Sequence, residues 1–281
     1  MRPGIKNRSA GHRPADGHTN TIFIWQAVEM ITERQPEDWR ELQSEVARIL
    51  TECGMHAEVE KTVTLARDRA DVDVVAVETV SGRKTTIFCE CKLWKRSIPK
   101  NVIHGFRTVV EDGGANVGYV ITSSGFQTGA LAAADLTNLR LVTWPEFQAE
   151  FEGTWVESHL RPEVTKRLDD FMELVEPLLP RAFDELSEPA KARFLELRES
   201  YWELGAIAMM FTTYVKMIRP DLPDLPLRDR VSSDATGMPD ALLDATAYGD
   251  FLDILIPFGE QAASELRAAL RPEAIPFSDS E

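Results

Sequence analysis

The sequence predicts an α/β fold, a mixed β-sheet flanked by helices, with an all-α C-terminal domain behind it. Three features predict this. Apolar residues alternate with polar ones in short runs between residues 58 and 143, stretches of helical spacing flank and separate those runs, and from Phe151 onward only helical, acidic patterns remain.

In chain order, residues 1–20 are rich in Gly, Pro, Arg and His and read as a disordered basic tail, with Arg2, Lys6, Arg8 and Arg13 against Asp16. Residues 22–32 read as a short helix. A long helix follows over 37–53, where Trp39, Leu42, Val46, Ile49, Leu50 and Cys53 repeat on one apolar face. Strands are expected near 58–66, 71–78 and 85–92. Pro99 suits the first turn of the next helix, whose Val102, Ile103, Phe106, Val109 and Val110 form its buried face before EDGGAN ends it. GYVIT is a short buried strand, 126–136 an Ala-rich helix and LRLVT the last strand. Helices are then expected over 156–176, 189–218 and 240–269. Pro220, Pro223 and Pro226 interrupt them with an extended link or ordered loop. The segment YWELGAIAMMFTTYVKMI within this region is apolar on several faces, which suits a central bundle helix or a dimer contact.

Chemistry concentrates in residues 71–92, DVDVVAVETVSGRKTTIFCECK. Two alternating runs flank the turn Ser81-Gly82-Arg83 and read as an antiparallel hairpin. With Ser81-Gly82 as the loop, Val80 faces Arg83 and Asp73 faces Glu90; with Gly82-Arg83 as the loop, Asp73 faces Lys92. In either register the two-residue period puts Asp73, Glu90 and Lys92 on one sheet face, with opposed Cβ atoms about 4.5–5.5 Å apart. Two adjacent carboxylates call for a cation, a proton or an ammonium. Hard oxygen ligands suit Mg²⁺ or Mn²⁺, and Lys92 can orient or help deprotonate an attacking water or stabilise charge developing on phosphorus. Charged ends that merely solubilise an amphipathic hairpin are the competing explanation of this spacing.

The surroundings favour the first. A leading helix, DWRELQSEVARILTECGM, precedes the Asp73 strand, ECK closes the next strand, and PKNVIHGFRTVVEDGGAN leads into GYVITSSGFQTGALAAA and LRLVTWPEF. This ordered set, from Asp38 to Phe147, resembles the PD-(D/E)xK nuclease superfamily and within it the catalytic domain of the Mrr-like restriction endonucleases. The resemblance implies a restriction-endonuclease-like nuclease domain over 21–152 and a separate acidic helical domain over 153–281. It also implies that Asp73, Glu90 and the backbone carbonyl of Cys91 hold the metal and that Lys92 is the catalytic lysine. Two positions depart from the family pattern: Gln43 stands where a Glu often assists the metal, and His104 where a Gln is common.

Composition sets outer bounds. A chain of 281 residues with 43% hydrophobic content can bury a full core and form two modest domains. No apolar run approaches the roughly 20 residues of a membrane span, and the start lacks a secretory h-region, so a cytoplasmic location is expected. Cys53, Cys89 and Cys91 read as small buried hydrophobes. The net charge of -15 is unevenly spread: residues 1–150 carry 18 bases against 20 acids, and 151–281 carry 13 against 26. Within 83–107 seven bases oppose Glu90 alone. Lys95, Arg96 and Lys100 follow the Lys92 strand and can reach phosphates, Arg83 and Lys84 extend the basic set, and Trp94 can stack on a base or pack under the loop. Gly113-Gly114 and Ser123-Ser124-Gly125 lack the lysine of a P-loop and read as turns, although Thr122, Ser123 and Ser124 can donate to a phosphate.

The expected function is a Mg²⁺- or Mn²⁺-dependent endonuclease acting on DNA in prokaryotic restriction or phage defence. The alternatives are a non-catalytic protein that keeps the fold to bind nucleic acid or a partner, and a junction-resolving or repair nuclease. The helical domain is expected to hold a protein partner or to make a homo-oligomer.

Overall fold

The computed structural model describes residues 30–231 and 237–271. The basic tail and most of the helix expected over 22–32 lie outside the described residues, and 30–32 are not helical. The first half is a five-stranded sheet in sequential order, β1 (His56–Thr64), β2 (Arg69–Val80), β3 (Arg83–Lys92), β4 (Val117–Thr122) and β5 (Leu139–Thr143). Neighbours β1, β2 and β3 run antiparallel; β3, β4 and β5 run parallel, which makes the sheet mixed. The parallel pairs need helical crossovers, supplied by α2 (Lys100–Asp112) and α3 (Thr128–Ala134). These helices cover one face with Ile103, Phe106, Val110 and Ala130 over Val75, Phe88 and Val120. The other face carries Val74, Ile87, Cys89, Cys91 and Ile121 beneath α1 (Trp39–Glu52) and α4 (Trp144–Trp155).

Helix α1 starts where Asp38 accepts from the Glu41 N–H, and it buries Leu42, Gln43, Val46, Ile49 and Leu50. Trp39, expected on that face, is instead 42% exposed, with Arg40 stacked 4.4 Å above its ring. As the first residue of the helix Trp39 is left largely to solvent, with a cation–π partner in place of core contacts.

The hairpin adopts the first of the two registers, with Val80 opposite Arg83. Ser81 and Gly82 take left-handed φ values of 50° and 78°, which suit a two-residue turn matched to strand twist.

The C-terminal half departs from expectation at three boundaries. Residues 144–175 form one continuous helical run, α4, a π-turn at Val156–Leu160 and α5 (Arg161–Val175). Its start is a capping box between Thr143 and Glu146 with Pro145 in the first turn, a pattern present in TWPE but absent from the expected elements. The helix expected over 189–218 is α6 (Glu188–Met210), which stops where buried Arg161 donates to the carbonyls of Thr212 at 3.0 Å and Pro220 at 2.5 Å. The helix expected over 240–269 is two, α7 (Asp240–Asp244) and α8 (Tyr248–Ala269), because Ala245 and Ala247 are extended. Helices α5, α6 and α8 pack together; Gly205 of α6 meets α5 so closely that a Cβ there would lie 2.4 Å from Val175.

A continuous buried cluster runs from Ile31 through α1, the sheet, Trp155 and α5 to Leu266 of α8. Segment 30–35 is tied across it: the Thr32 N–H donates to Gln148, Asp250 accepts from Thr32 and from the Glu33 N–H, and the Gly249 N–H donates to the Ile31 carbonyl. The boundary expected between 152 and 153 therefore falls inside a helical run. No helix among the described residues is long and apolar enough to cross a membrane.

Candidate active site

The sheet opens at Asp73. Strands β2 and β3 pair from Val80↔Arg83 as far as Val74↔Cys89, whereas β3 and β4 stay paired through Lys92↔Thr122. In β1–β2 the register steps over Glu60 and Asp73, and Glu60 has φ 51°. The side-chain alternation changes phase at the same place: Val72 and Val75 join the α2 face, and Val74 the α1 face. Strand β2 thus joins β3 only from Val74 onward, and the Asp73 carboxylate bridges the gap by accepting the Cys91 N–H at 2.7 Å. A strand residue points its N–H and C=O to the same side, so the Cys91 carbonyl also faces this opening.

Across the gap Lys92 Nζ lies 2.6 Å from Glu90 Oε1 and 3.7 Å from Asp73 Oδ2. All three side chains are 22% exposed, half-buried at a strand end but reachable from solvent. Two carboxylates share one ammonium, so the site keeps a formal charge of about one negative unit. Burial raises the Glu90 pKa above the ordinary carboxylate range; Lys92 pulls it back and the negative charge of Asp73 pushes it up again. Burial alone would weaken the Lys92 ammonium, but attraction to Glu90, with Asp73 behind it, holds its pKa above that of an ordinary lysine.

The remaining candidates separate. Gln43 is 2% exposed on α1, which packs on β1, β2 and β3, and it makes no hydrogen bond to the trio. His104 lies on the exposed side of α2; its carbonyl accepts from Thr108 and its ring has no polar partner among the described residues. Lys95, Arg96 and Lys100 are exposed just beyond Lys92, and Trp94 is 37% exposed among them. Arg83 and Lys84 sit at the hairpin turn, the opposite end of β3. Six residues of strand put Lys84 about 20 Å from Glu90, so the basic residues of 83–107 do not form one patch.

Thr122, Ser123 and Ser124, read from the sequence as phosphate donors, are spent elsewhere. Thr122 Oγ1 donates to the Lys92 carbonyl at 3.0 Å, Ser123 to that of Trp94 at 3.4 Å and Ser124 to that of Arg96 at 2.9 Å. With Ile98 bridged to Phe126, they fasten the basic loop to the end of β4. This positioning role escaped the sequence because residues 92–98 and 122–126 are neighbours only through the parallel crossover. Cys53, Cys89 and Cys91 are buried as expected; burial raises each thiol pKa, that of Cys53 to about 12.

The donor set consists of hard oxygens, two carboxylates and a carbonyl facing one opening. Among the described residues no group of three or more His, Cys, Asp or Glu side chains is placed to hold a metal. One or two carboxylates with the remaining positions left to water are nonetheless what Mg²⁺ ordinarily uses, so the residues fit such an ion.

A mixed sheet of this order, opened at Asp73 and flanked by helices on both faces, defines a restriction-endonuclease-like domain. Residues 35–150 match the family model Mrr_cat, described as a restriction endonuclease, a match consistent with a Mrr-like nuclease domain of the PD-(D/E)xK kind. No curated protein matches the sequence. Among solved structures, a protein of unknown function, AF1548, is similar at 19% identity and a TM-score of 0.35, over 66% of this chain and 100% of its own.

Proposed function

We propose that this protein is a divalent-metal-dependent endonuclease that hydrolyses phosphodiester bonds in DNA, acting in the cytoplasm in prokaryotic restriction or phage defence. The observation that carries the reading is the meeting of Asp73, Glu90 and Lys92 at the point where the sheet opens. Asp73, Glu90 and the Cys91 carbonyl would hold Mg²⁺ or Mn²⁺, which when bound supplies positive charge to the phosphoryl group and acidifies water. Asp73 is held for this by the Cys91 N–H, which fixes one carboxylate oxygen and leaves the other for a ligand. Lys92, which lies beside both carboxylates, would donate to a phosphate oxygen or orient the attacking water. Lys95, Arg96 and Lys100 would grip flanking phosphates from a loop already fastened by Thr122 and Ser124. Incubation of plasmid and phage DNA with and without Mg²⁺ or Mn²⁺ tests the reading; absence of cleavage under every condition overturns it.

A second reading, a binding protein that keeps this fold without cleaving, draws on two observations: Lys92 already neutralises Glu90, and Gln43 brings no charge. Calorimetric metal titration separates the two. An enzyme binds the ion and loses that binding with Asp73→Ala, whereas the binding protein shows none.

Two further outcomes are expected. Because Glu90 titrates above the ordinary range, protons compete for it at milder acidity than for a free glutamate. Metal affinity should hold above that raised pKa and fall by about tenfold per pH unit below it. Affinity that stays level down to the ordinary glutamate pKa contradicts Glu90 as a ligand. Replacing Lys95, Arg96 and Lys100 together should flatten the slope of log K against log salt on duplex DNA by up to about 3 units. Replacing Arg83 and Lys84, at the far end of β3, should change it less, as binding isotherms from low to high salt will show.

A further inference from the structure

Helix α6 has two apolar faces, and the protein covers one. Phe194, Leu204, Ile207 and Ala208 are buried against α5 and α8, whereas Leu195 and Trp202 are 42% and 51% exposed. At 3.6 residues per turn Leu195, Arg198, Glu199 and Trp202 share one stripe on the outward side. These four residues line a surface cleft of about 430 Å³. Past Trp202 the stripe continues with Ala206 and Met209 along an apolar cleft of about 180 Å³ between α5 and α6. The two charges at its centre are unanswered: among the described residues neither Arg198 nor Glu199 has an ion-pair partner, and Arg198 Nε is enclosed without an acceptor.

We propose that this face of α6 pairs with the same face of a second copy of the chain, antiparallel, about a twofold axis passing between Arg198 and Glu199. The order apolar, basic, acidic, apolar is complementary to itself when reversed. Leu195 then meets the second copy's Trp202 and Arg198 the second copy's Glu199, each contact made twice, as a twofold interface requires. A parallel arrangement would set Arg198 against Arg198. The pairing gives the Arg198 guanidinium an acidic partner and buries two tryptophans, a side chain enriched at energetically dominant interface positions. Contact through one helix of each copy lies at the small end of specific interfaces, so the dimer is reversible and concentration-dependent. The proposal does not depend on the nuclease reading.

Sedimentation of the full chain over a range of concentrations tests it. The unaltered protein should show a monomer–dimer equilibrium; Trp202→Glu should weaken it about thirtyfold or more, and Arg198→Glu should weaken it by setting acid against acid. Combining Arg198→Glu with Glu199→Arg should restore dimerisation, because the exchanged charges meet again across the axis. Leu195, Glu199 and Trp202 are exposed and Arg198 partly so, so circular dichroism should match the unaltered protein; if Trp202→Glu fails to fold, the charge exchange decides alone. A protein that stays monomeric throughout overturns the proposal. So does a dimer indifferent to Arg198→Glu, or one that the double exchange leaves broken, since the contact then lies elsewhere or the face serves a different partner.

Discussion

Asp73→Ala or Glu90→Ala is expected to abolish DNA cleavage, a loss of about a thousandfold or more, or about 4 kcal/mol of transition-state stabilisation. Neither change should unfold the protein. Both side chains are half-buried at a strand end, and removing either relieves repulsion between two carboxylates that one ammonium neutralises incompletely. Asp73→Ala also frees the Cys91 N–H, at a cost of about 1 kcal/mol. Lys92→Ala should spare metal binding, which the oxygen ligands provide, while lowering the rate by about 10²–10³. Gel assays of plasmid cleavage alongside thermal unfolding separate lost chemistry from lost fold. Cleavage undiminished in both Asp73→Ala and Lys92→Ala would reject the site whatever the fold.

The second large effect concerns the two halves of the chain. A protein ending after Trp155 should lose its cooperative unfolding transition. Such a cut divides one continuous helical run and strips Leu160, Val164, Leu168, Phe171 and the whole of α8 from a core they share with α1 and Trp155. It also removes Asp250 and Gly249, which anchor Thr32, Glu33 and Ile31. Each large apolar side chain left uncovered forfeits about 1.5–3 kcal/mol, so a few of them exceed the roughly 5–15 kcal/mol that holds a typical domain together. Calorimetry of the truncated chain checks this. A sharp transition near that of the intact protein would mean that 21–152 folds alone and that the acidic helices are an attachment.

How much was readable beforehand follows from the range of each interaction. The hairpin was, because alternation and the Ser81-Gly82 turn are properties of adjacent residues; the ladder through Val80↔Arg83 is one of the two registers they allow. LRLVT is observed over the residues expected. Helix ends in the C-terminal half differ from expectation where distant groups meet the chain: α6 ends at Met210, just before Thr212, whose carbonyl accepts from buried Arg161, some fifty residues earlier. TWPE held a capping signal that reads locally, yet its consequence, a helix joining the sheet domain to the acidic half, depends on what that helix packs against.

The candidate site divides in the same way. The sequence alone determined that Asp73, Glu90 and Lys92 lie near one another, because a two-residue period and a tight turn leave little freedom. Only the tertiary structure decided that β2 is unpaired with β3 before Val74, that Asp73 reaches across to the Cys91 N–H, and that Lys92 lies between both carboxylates. It also decided that Lys95 and Arg96 belong to a loop fastened by Thr122 and Ser124, while Arg83 and Lys84 lie a strand's length away. The cause is physical: spacing along a strand follows from covalent geometry, whereas the opening of a sheet and the anchoring of a loop come from contacts between segments that only folding brings together.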